Sequence, residues 1–166
     1  MSHPVDRFEH PALAAPLFFT PCPGTQSTSI DEALLALKAA GAKAVVTLTP
    51  NEEMERLGVP TLGEHCSAHG LAWFHLPIGD DDAPGEVFEA EWTNAWPHIQ
   101  ALIAAGNGVA IHCRGGSGRT GLIAARILTH QGADHALAIS AVRSLRPKAL
   151  QDSAQIFWLR KHALKS

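Results

Sequence analysis

Ten consecutive residues, His112-Cys113-Arg114-Gly115-Gly116-Ser117-Gly118-Arg119-Thr120-Gly121, constrain this chain more than any other stretch. They follow a short apolar run, Val109-Ala110-Ile111, which reads as a buried strand, and lead into Leu122 to Leu128, which begins a helix. A glycine-rich turn between strand and helix lets successive backbone N–H groups converge on one anion. The start of the helix adds its own free N–H groups and its positive dipole end. A cysteine in that field loses its proton more easily, because the thiolate is favoured over the thiol. An arginine offers a planar fork of donors that lysine does not reproduce.

The flanking sequence sets this turn in an alternating fold. Leu17-Phe18-Phe19 reads as a first strand, ended by Thr20-Pro21-Cys22-Pro23-Gly24. Ser29 is a helix N-cap, with Asp31 and Glu32 in the first turn and Gly41 as the stop. Ala44 to Leu48 is a buried strand, and Thr49-Pro50 opens a short helix through Glu52, Glu53 and Glu55. A helix over Thr61 to His69 leads to a strand over Leu71 to Leu76. The segment Glu86 to Ala105 carries Phe88, Trp92, Trp96, Ile99 and Ile103 at helical spacing, with Pro97 as an expected kink or break. Two further helices cover Asp134 to Leu145 and Asp152 to Ala163.

This alternation predicts an α/β domain: a central, largely parallel sheet of about four or five strands with helices on both faces. Ligands in such sheets sit at the carboxyl ends of the strands, where Cys113 falls. Residues 1–16, rich in proline, read as an N-terminal arm, and residues 17–166 as a single catalytic domain.

Composition excludes several classes. A chain of 166 residues with 46% hydrophobic content is ordinary for one globular domain. A formal charge of −3 gives no reason to expect nucleic acid as a partner. No stretch approaches a membrane-spanning length, and the N-terminus lacks a signal-like pattern, so a cytoplasmic protein with no membrane partner is expected. Three cysteines, Cys22, Cys66 and Cys113, form no disulfide framework. Six positions after Cys22 stands Thr28, and six after Cys66 stands Ala72, so only Cys113 is followed at that spacing by an arginine.

Cys113, Arg119 and Thr120 in this setting resemble the His-Cys-x5-Arg-Ser/Thr signature of the protein tyrosine phosphatase superfamily. The resemblance implies a cysteine phosphatase fold and a dual-specificity type of enzyme. It assigns Cys113 as nucleophile, Arg119 as the phosphate fork, and Thr120 as the hydroxyl that eases departure of the thiolate. The loop residues Arg114, Gly115, Gly116, Ser117 and Gly118 become the phosphate cradle, and His112 a brace. The substrate class is then a phosphorylated protein or a small phosphomonoester, hydrolysed without metal or cofactor. A rhodanese-like sulfurtransferase is the rival enzyme, with a shorter cysteine loop, and a phosphoprotein-binding module is the rival without catalysis.

A leaving alkoxide or phenoxide needs a proton. The acidic loop Pro77-Ile78-Gly79-Asp80-Asp81-Asp82 is the source, and the Pro-x-x-Asp pattern of dual-specificity phosphatases selects Asp80, with Asp81 and Asp82 as neighbours in contention. Within the superfamily the chain is most similar to the cyclin-dependent kinase inhibitor, or kinase-associated, phosphatases, from about Thr20 to Leu159. That resemblance assigns Gln151 and Gln155 to the hydrolytic water and Arg146 to the local fold. Thr25, Gly115 and Ser117 depart from those proteins, and no kinase partner follows. His65 and His69, one helical turn apart around Cys66, lack a second ligand pair and read as surface or packing residues rather than a zinc site.

Overall fold

A computed structural model describes residues 2–80 and 83–162. The chain opens with strand β1 (Asp6–Phe8), followed by β2 (Leu17–Thr20), α1 (Ile30–Ala40), β3 (Ala42–Thr47), α2 (Asn51–Arg56) and α3 (Leu62–Ala68). It continues with β4 (Ala72–His75), α4 (Glu86–Ala104), β5 (Gly108–His112), α5 (Gly118–His130), α6 (His135–Leu145) and α7 (Ser153–His162). The five strands lie in the order β1-β2-β5-β3-β4; β1 runs antiparallel to β2 and the remaining pairs are parallel. The largely parallel five-stranded sheet meets the expectation from the alternating pattern.

Strand alternation divides the core into two. Phe18, Val45 and Ala110 face Leu34 and Leu37 of α1 and Leu62 and Cys66 of α3. Their neighbours Phe19, Val46 and Ile111 face the opposite layer, built from α4, α5, α6 and α7. Because β5 is central and apolar on both sides, its five residues are all buried. It delivers Cys113 to the middle of the sheet's carboxyl edge.

Residues 1–16 do more than trail. Asp6 to Phe8 pair with Phe19 to Leu17, and the Phe8 ring stacks on Phe19 at 5.2 Å. The boundary expected at Leu17 separates β1 from β2, two strands that pair with each other.

The local signals in α1 act as read. Ser29 accepts from the Glu32 N–H at 3.0 Å and Glu32 returns a bond to the Ser29 N–H, a capping box worth about 1 kcal/mol. Helix α4, by contrast, runs through Pro97 without a break. Tertiary packing compensates for the lost backbone bond: Trp92 stacks on Trp96 at 5.3 Å, and both meet the edge of His130. Beside them Arg126 of α5 is 3% exposed, lies between the Trp92 and Trp158 rings, and forks onto both Glu89 oxygens at 3.1 and 3.0 Å. This pair clamps α4, α5 and α7 together. His65 and His69 both reach Asp31 Oδ1, at 3.0 and 2.8 Å, and tie α3 to α1.

Candidate active site

The turn from β5 to α5 is held by its carbonyl oxygens. The Leu48 N–H donates to the His112 carbonyl at 3.0 Å, and the Cys22 N–H donates to that of Arg114 at 3.0 Å. His112 Nδ1 lies 3.0 Å from the Cys113 carbonyl, which only accepts, so Nδ1 carries the proton. Arg146 Nε donates to the Gly116 carbonyl at 3.0 Å. In a trans peptide the C=O and the following N–H point in opposite directions. Holding the carbonyls of 114 and 116 therefore turns the N–H groups of 115 and 117 the opposite way, and the N–H groups of Gly116 and Thr120 act on the Cys113 sulfur. Gly116 has φ +79°, and a Cβ there would stand 2.6 Å from the Thr20 backbone, so only glycine fits.

His112 is the inner end of a relay. Its Nε2 accepts from the Thr47 hydroxyl at 2.8 Å, and Thr47 in turn accepts from Trp73 Nε1 at 2.7 Å. Burial pushes His112 down to about 4, so the ring stays neutral and keeps its tautomer. The brace expected from sequence thus extends through β3 to β4.

Cys113 is 4% exposed and receives the Thr120 hydroxyl at 3.2 Å. Burial alone opposes ionisation of the thiol. The Thr120 hydroxyl, the N–H groups of Thr120 and Gly116, and the Arg119 charge outweigh burial and bring Cys113 below its ordinary value of 9.0. The other two cysteines go the opposite way: burial pushes Cys22 and Cys66 up to about 12, helped at Cys22 by the nearby Glu53 and Cys113 charges. Iodoacetamide at pH 7 is expected to modify Cys113 alone in the folded protein. Peptide mapping that finds Cys22 or Cys66 labelled at a comparable rate would contradict these environments.

Arg119, in the first turn of α5, is buried. Its Nη1 and Nη2 donate to the two Glu53 oxygens at 2.9 and 2.8 Å, and Nη1 also donates to the Ile78 carbonyl at 3.0 Å. Three of the five guanidinium donors are thereby used. The two left over, Nε–H and the second Nη2–H, are parallel and form the fork that matches two oxygens of one phosphate. Glu53 of α2, 7% exposed, was not read from the sequence as a site residue. It is one of three glutamates in a short helix, and only the packing of α2 shows which faces inward.

Asp80 stands half exposed at the rim, 3.6 Å from Arg119 Nη2 and 3.8 Å from Arg114 Nη2. Asp81 and Asp82, its rivals by sequence, lie outside the described residues. Arg114, Gly115 and Gly118 are exposed and Ser117 half-buried, while Thr120 begins the buried course of α5. Gln155 is buried in the first turn of α7. Gln151 is exposed and donates to the Pro147 carbonyl at 3.2 Å. Among the described residues no hydrogen bond joins either glutamine to Cys113 or Arg119.

No curated protein matches the sequence. Among solved structures, kinase associated phosphatase (KAP) with its catalytic cysteine replaced by serine is 21% identical, with TM-score 0.85, covering 99% of this chain and 96% of that one. Tk-PTP in its active form is 25% identical, with TM-score 0.72, over 95% and 100% of the two chains. Human DUSP28 is 23% identical, with TM-score 0.64, over 97% and 100%. The sequence also matches, over residues 22–133, the family described as "Polymorphic toxin system, DSP-PTPase phosphatase". A cysteine loop closed by arginine, on a cysteine phosphatase fold and inside that family match, makes this chain a member of the DSP-PTPase phosphatase family and a protein tyrosine phosphatase of the dual-specificity type.

Proposed function

We propose that the protein hydrolyses phosphomonoesters in two steps, with Cys113 as nucleophile, Arg119 holding the phosphate and Asp80 moving the proton. The observation that carries this reading is the thiol itself: it is nearly buried, yet the Thr120 hydroxyl at 3.2 Å, two backbone N–H groups and Arg119 favour its anion. In the first step the thiolate attacks phosphorus in line, the S–P bond forms and the bond to the leaving oxygen breaks. Asp80, as its acid, gives that oxygen a proton. The loop N–H groups and the free side of Arg119 hold the equatorial oxygens, whose charge grows in the transition state.

In the second step water attacks the phosphocysteine, Asp80 accepts the water's proton, and the S–P bond breaks to return the thiolate. Thr120 stabilises that leaving sulfur by the bond it already makes. Gln151 and Gln155, on the approach to and the first turn of α7, are assigned to the water. No step uses a metal ion. The substrate is a phosphorylated protein or small phosphomonoester of the dual-specificity range, because the chain has no tyrosine with which to wall a deep phosphotyrosine pocket. A cytoplasmic setting is part of the same proposal, since the mechanism needs Cys113 reduced. Among the described residues no helix is long and apolar enough to cross a membrane.

The test is phosphate release from an aryl phosphate with and without EDTA, together with Asp80→Asn. Turnover unaffected by EDTA is expected. Asp80→Asn is expected to lower kcat by about 100-fold for an alkyl or phenyl phosphate. It should lose less with a leaving group acidic enough to depart unprotonated. An unchanged kcat would remove Asp80 from the mechanism, and abolition by EDTA would replace it with a metal hydrolase.

A further inference from the structure

We propose that Asp6, on the N-terminal strand β1, is a positioning residue for the catalytic loop: its carboxylate orients Arg146, and Arg146 holds the Gly116 carbonyl outward so that the Ser117 N–H faces the site. The proposal rests on the reading of this loop as the seat of the phosphatase nucleophile.

The chain of contacts is short. Asp6 is placed by the ladder between β1 and β2, in which it pairs with Phe19. Its Oδ2 accepts from Arg146 Nη2 at 2.8 Å, and the Arg146 Nε on the same planar group donates to the Gly116 carbonyl at 3.0 Å. The guanidinium also lies over the Phe19 ring, 5.5 Å from its centroid. Because the group is rigid, fixing Nη2 fixes the direction of Nε. A lysine carries its three donors on one nitrogen and cannot join the two acceptors through a rigid plane.

The same arm reaches Gly116 by a second route. Gly116 packs against the Thr20 backbone so closely that a Cβ would stand 2.6 Å away. The Thr20 hydroxyl donates to the Pro4 carbonyl at 2.9 Å and accepts from His3 Nε2 at 2.5 Å, with His3 buried. Residues 3–6 therefore support both sides of Gly116, the carbonyl through Asp6 and Arg146, and the backbone through Thr20. An ion pair with one partner half open to water adds little to overall stability. Its effect falls on the orientation of the peptides of the loop. The Gly116 N–H is one of the groups that favour the Cys113 anion, so a loop that swings loses part of that support.

The test uses the full chain and reads two quantities: kcat/KM for an aryl phosphate, and the pH midpoint of Cys113 alkylation by iodoacetate. Asp6→Ala is expected to lower kcat/KM about tenfold and to move the alkylation midpoint upward. Asp6→Glu should recover most of both. Glu9→Ala, which removes only the exposed pair with Arg7 on the same segment, should change neither. Arg119, whose charge acts on the thiol, the charged groups around it, Glu53, Asp80 and Arg114, and the neutral Cys22 and His112 are the same in every variant. Simple loss of an anion would stabilise the thiolate and move the midpoint down, so the direction of the shift separates the two effects.

An unchanged or lowered midpoint in an Asp6→Ala protein with native circular dichroism would overturn the proposal. Should that variant not fold, Asp6→Asn, of the same size, is read by the same two criteria. Cys113→Ser is run beside them. Full activity there would sink the phosphatase reading itself, a result distinct from an inert Asp6.

Discussion

Cys113→Ser is expected to reduce phosphate release by at least about four orders of magnitude while leaving the fold intact. The oxygen is smaller than the sulfur and fits within its space, and the loop is held by its carbonyls rather than by the side chain at 113. The loss is chemical. Two N–H groups, the Thr120 hydroxyl and Arg119 lower a thiol from 9.0, whereas the same field acting on an aliphatic alcohol leaves it protonated at any pH the protein survives. The variant should still bind an inert phosphate analogue, because Arg119 and the loop amides are untouched. Single-turnover assays with a chromogenic aryl phosphate, and calorimetry with vanadate or tungstate, check the two halves. Hydrolysis at the wild-type rate would remove Cys113 from the mechanism.

Glu53→Ala is expected to damage both stability and catalysis. The Glu53 carboxylate forks onto Arg119 at 2.9 and 2.8 Å with both side chains nearly buried. Removing it leaves a guanidinium charge without its partner, a change that costs about 3–5 kcal/mol in comparable buried pairs. Arg119 can then turn its end face toward phosphate or toward Asp80, 3.6 Å away, and the side fork is no longer presented to substrate. A loss of about 100-fold in kcat/KM is expected, measured below the lowered melting temperature.

The same pair carries a pH signature. The Arg119 hydrogen bonds hold Glu53 below its ordinary value of 4.5, and burial opposes them only in part. A carboxylate lowered by folding stabilises the native state fully above its unfolded value and loses that contribution as the pH falls through the folded one. Acid unfolding of wild type should therefore steepen below about pH 4.5, and Glu53→Gln should flatten that limb. Chemical denaturation between pH 3 and 7 reads it. A Gln variant with an unchanged acid slope would show that other carboxylates govern it.

The legible and the hidden parts of this protein differ in kind. Ser29, Gly41 and the alternating runs of Val45-Val46 and Val109-Ile111 act through neighbours in sequence or through burial on both faces, so their elements are readable from the chain. At Pro97 the local rule allowed a kink or a break; the helix continues through it, with Trp92, Trp96 and His130 packed beside it. Residues 1–16 read as an arm because three residues of edge strand leave almost no periodicity; Asp6 to Phe8 acquire their role only by pairing with Phe19 to Leu17.

The catalytic loop shows the division most clearly. Its cysteine, glycines, arginine and threonine must be contiguous, because one turn of backbone has to wrap one anion. A linear string therefore carries the loop whole, and with it the class of chemistry. What aims the loop comes from distant positions: Glu53 on Arg119, Arg146 on Gly116, Thr47 on His112, and Asp6 on Arg146. Each is an ordinary polar residue in its own segment, and none has a spacing that marks it. Sequence alone marked Cys113 and Arg119 as the proposed nucleophile and phosphate fork, because the loop that joins them is local. Only the tertiary structure decided which glutamate, which arginine and which N-terminal aspartate hold them, because those contacts exist only once the sheet has brought separate strands and helices to one edge.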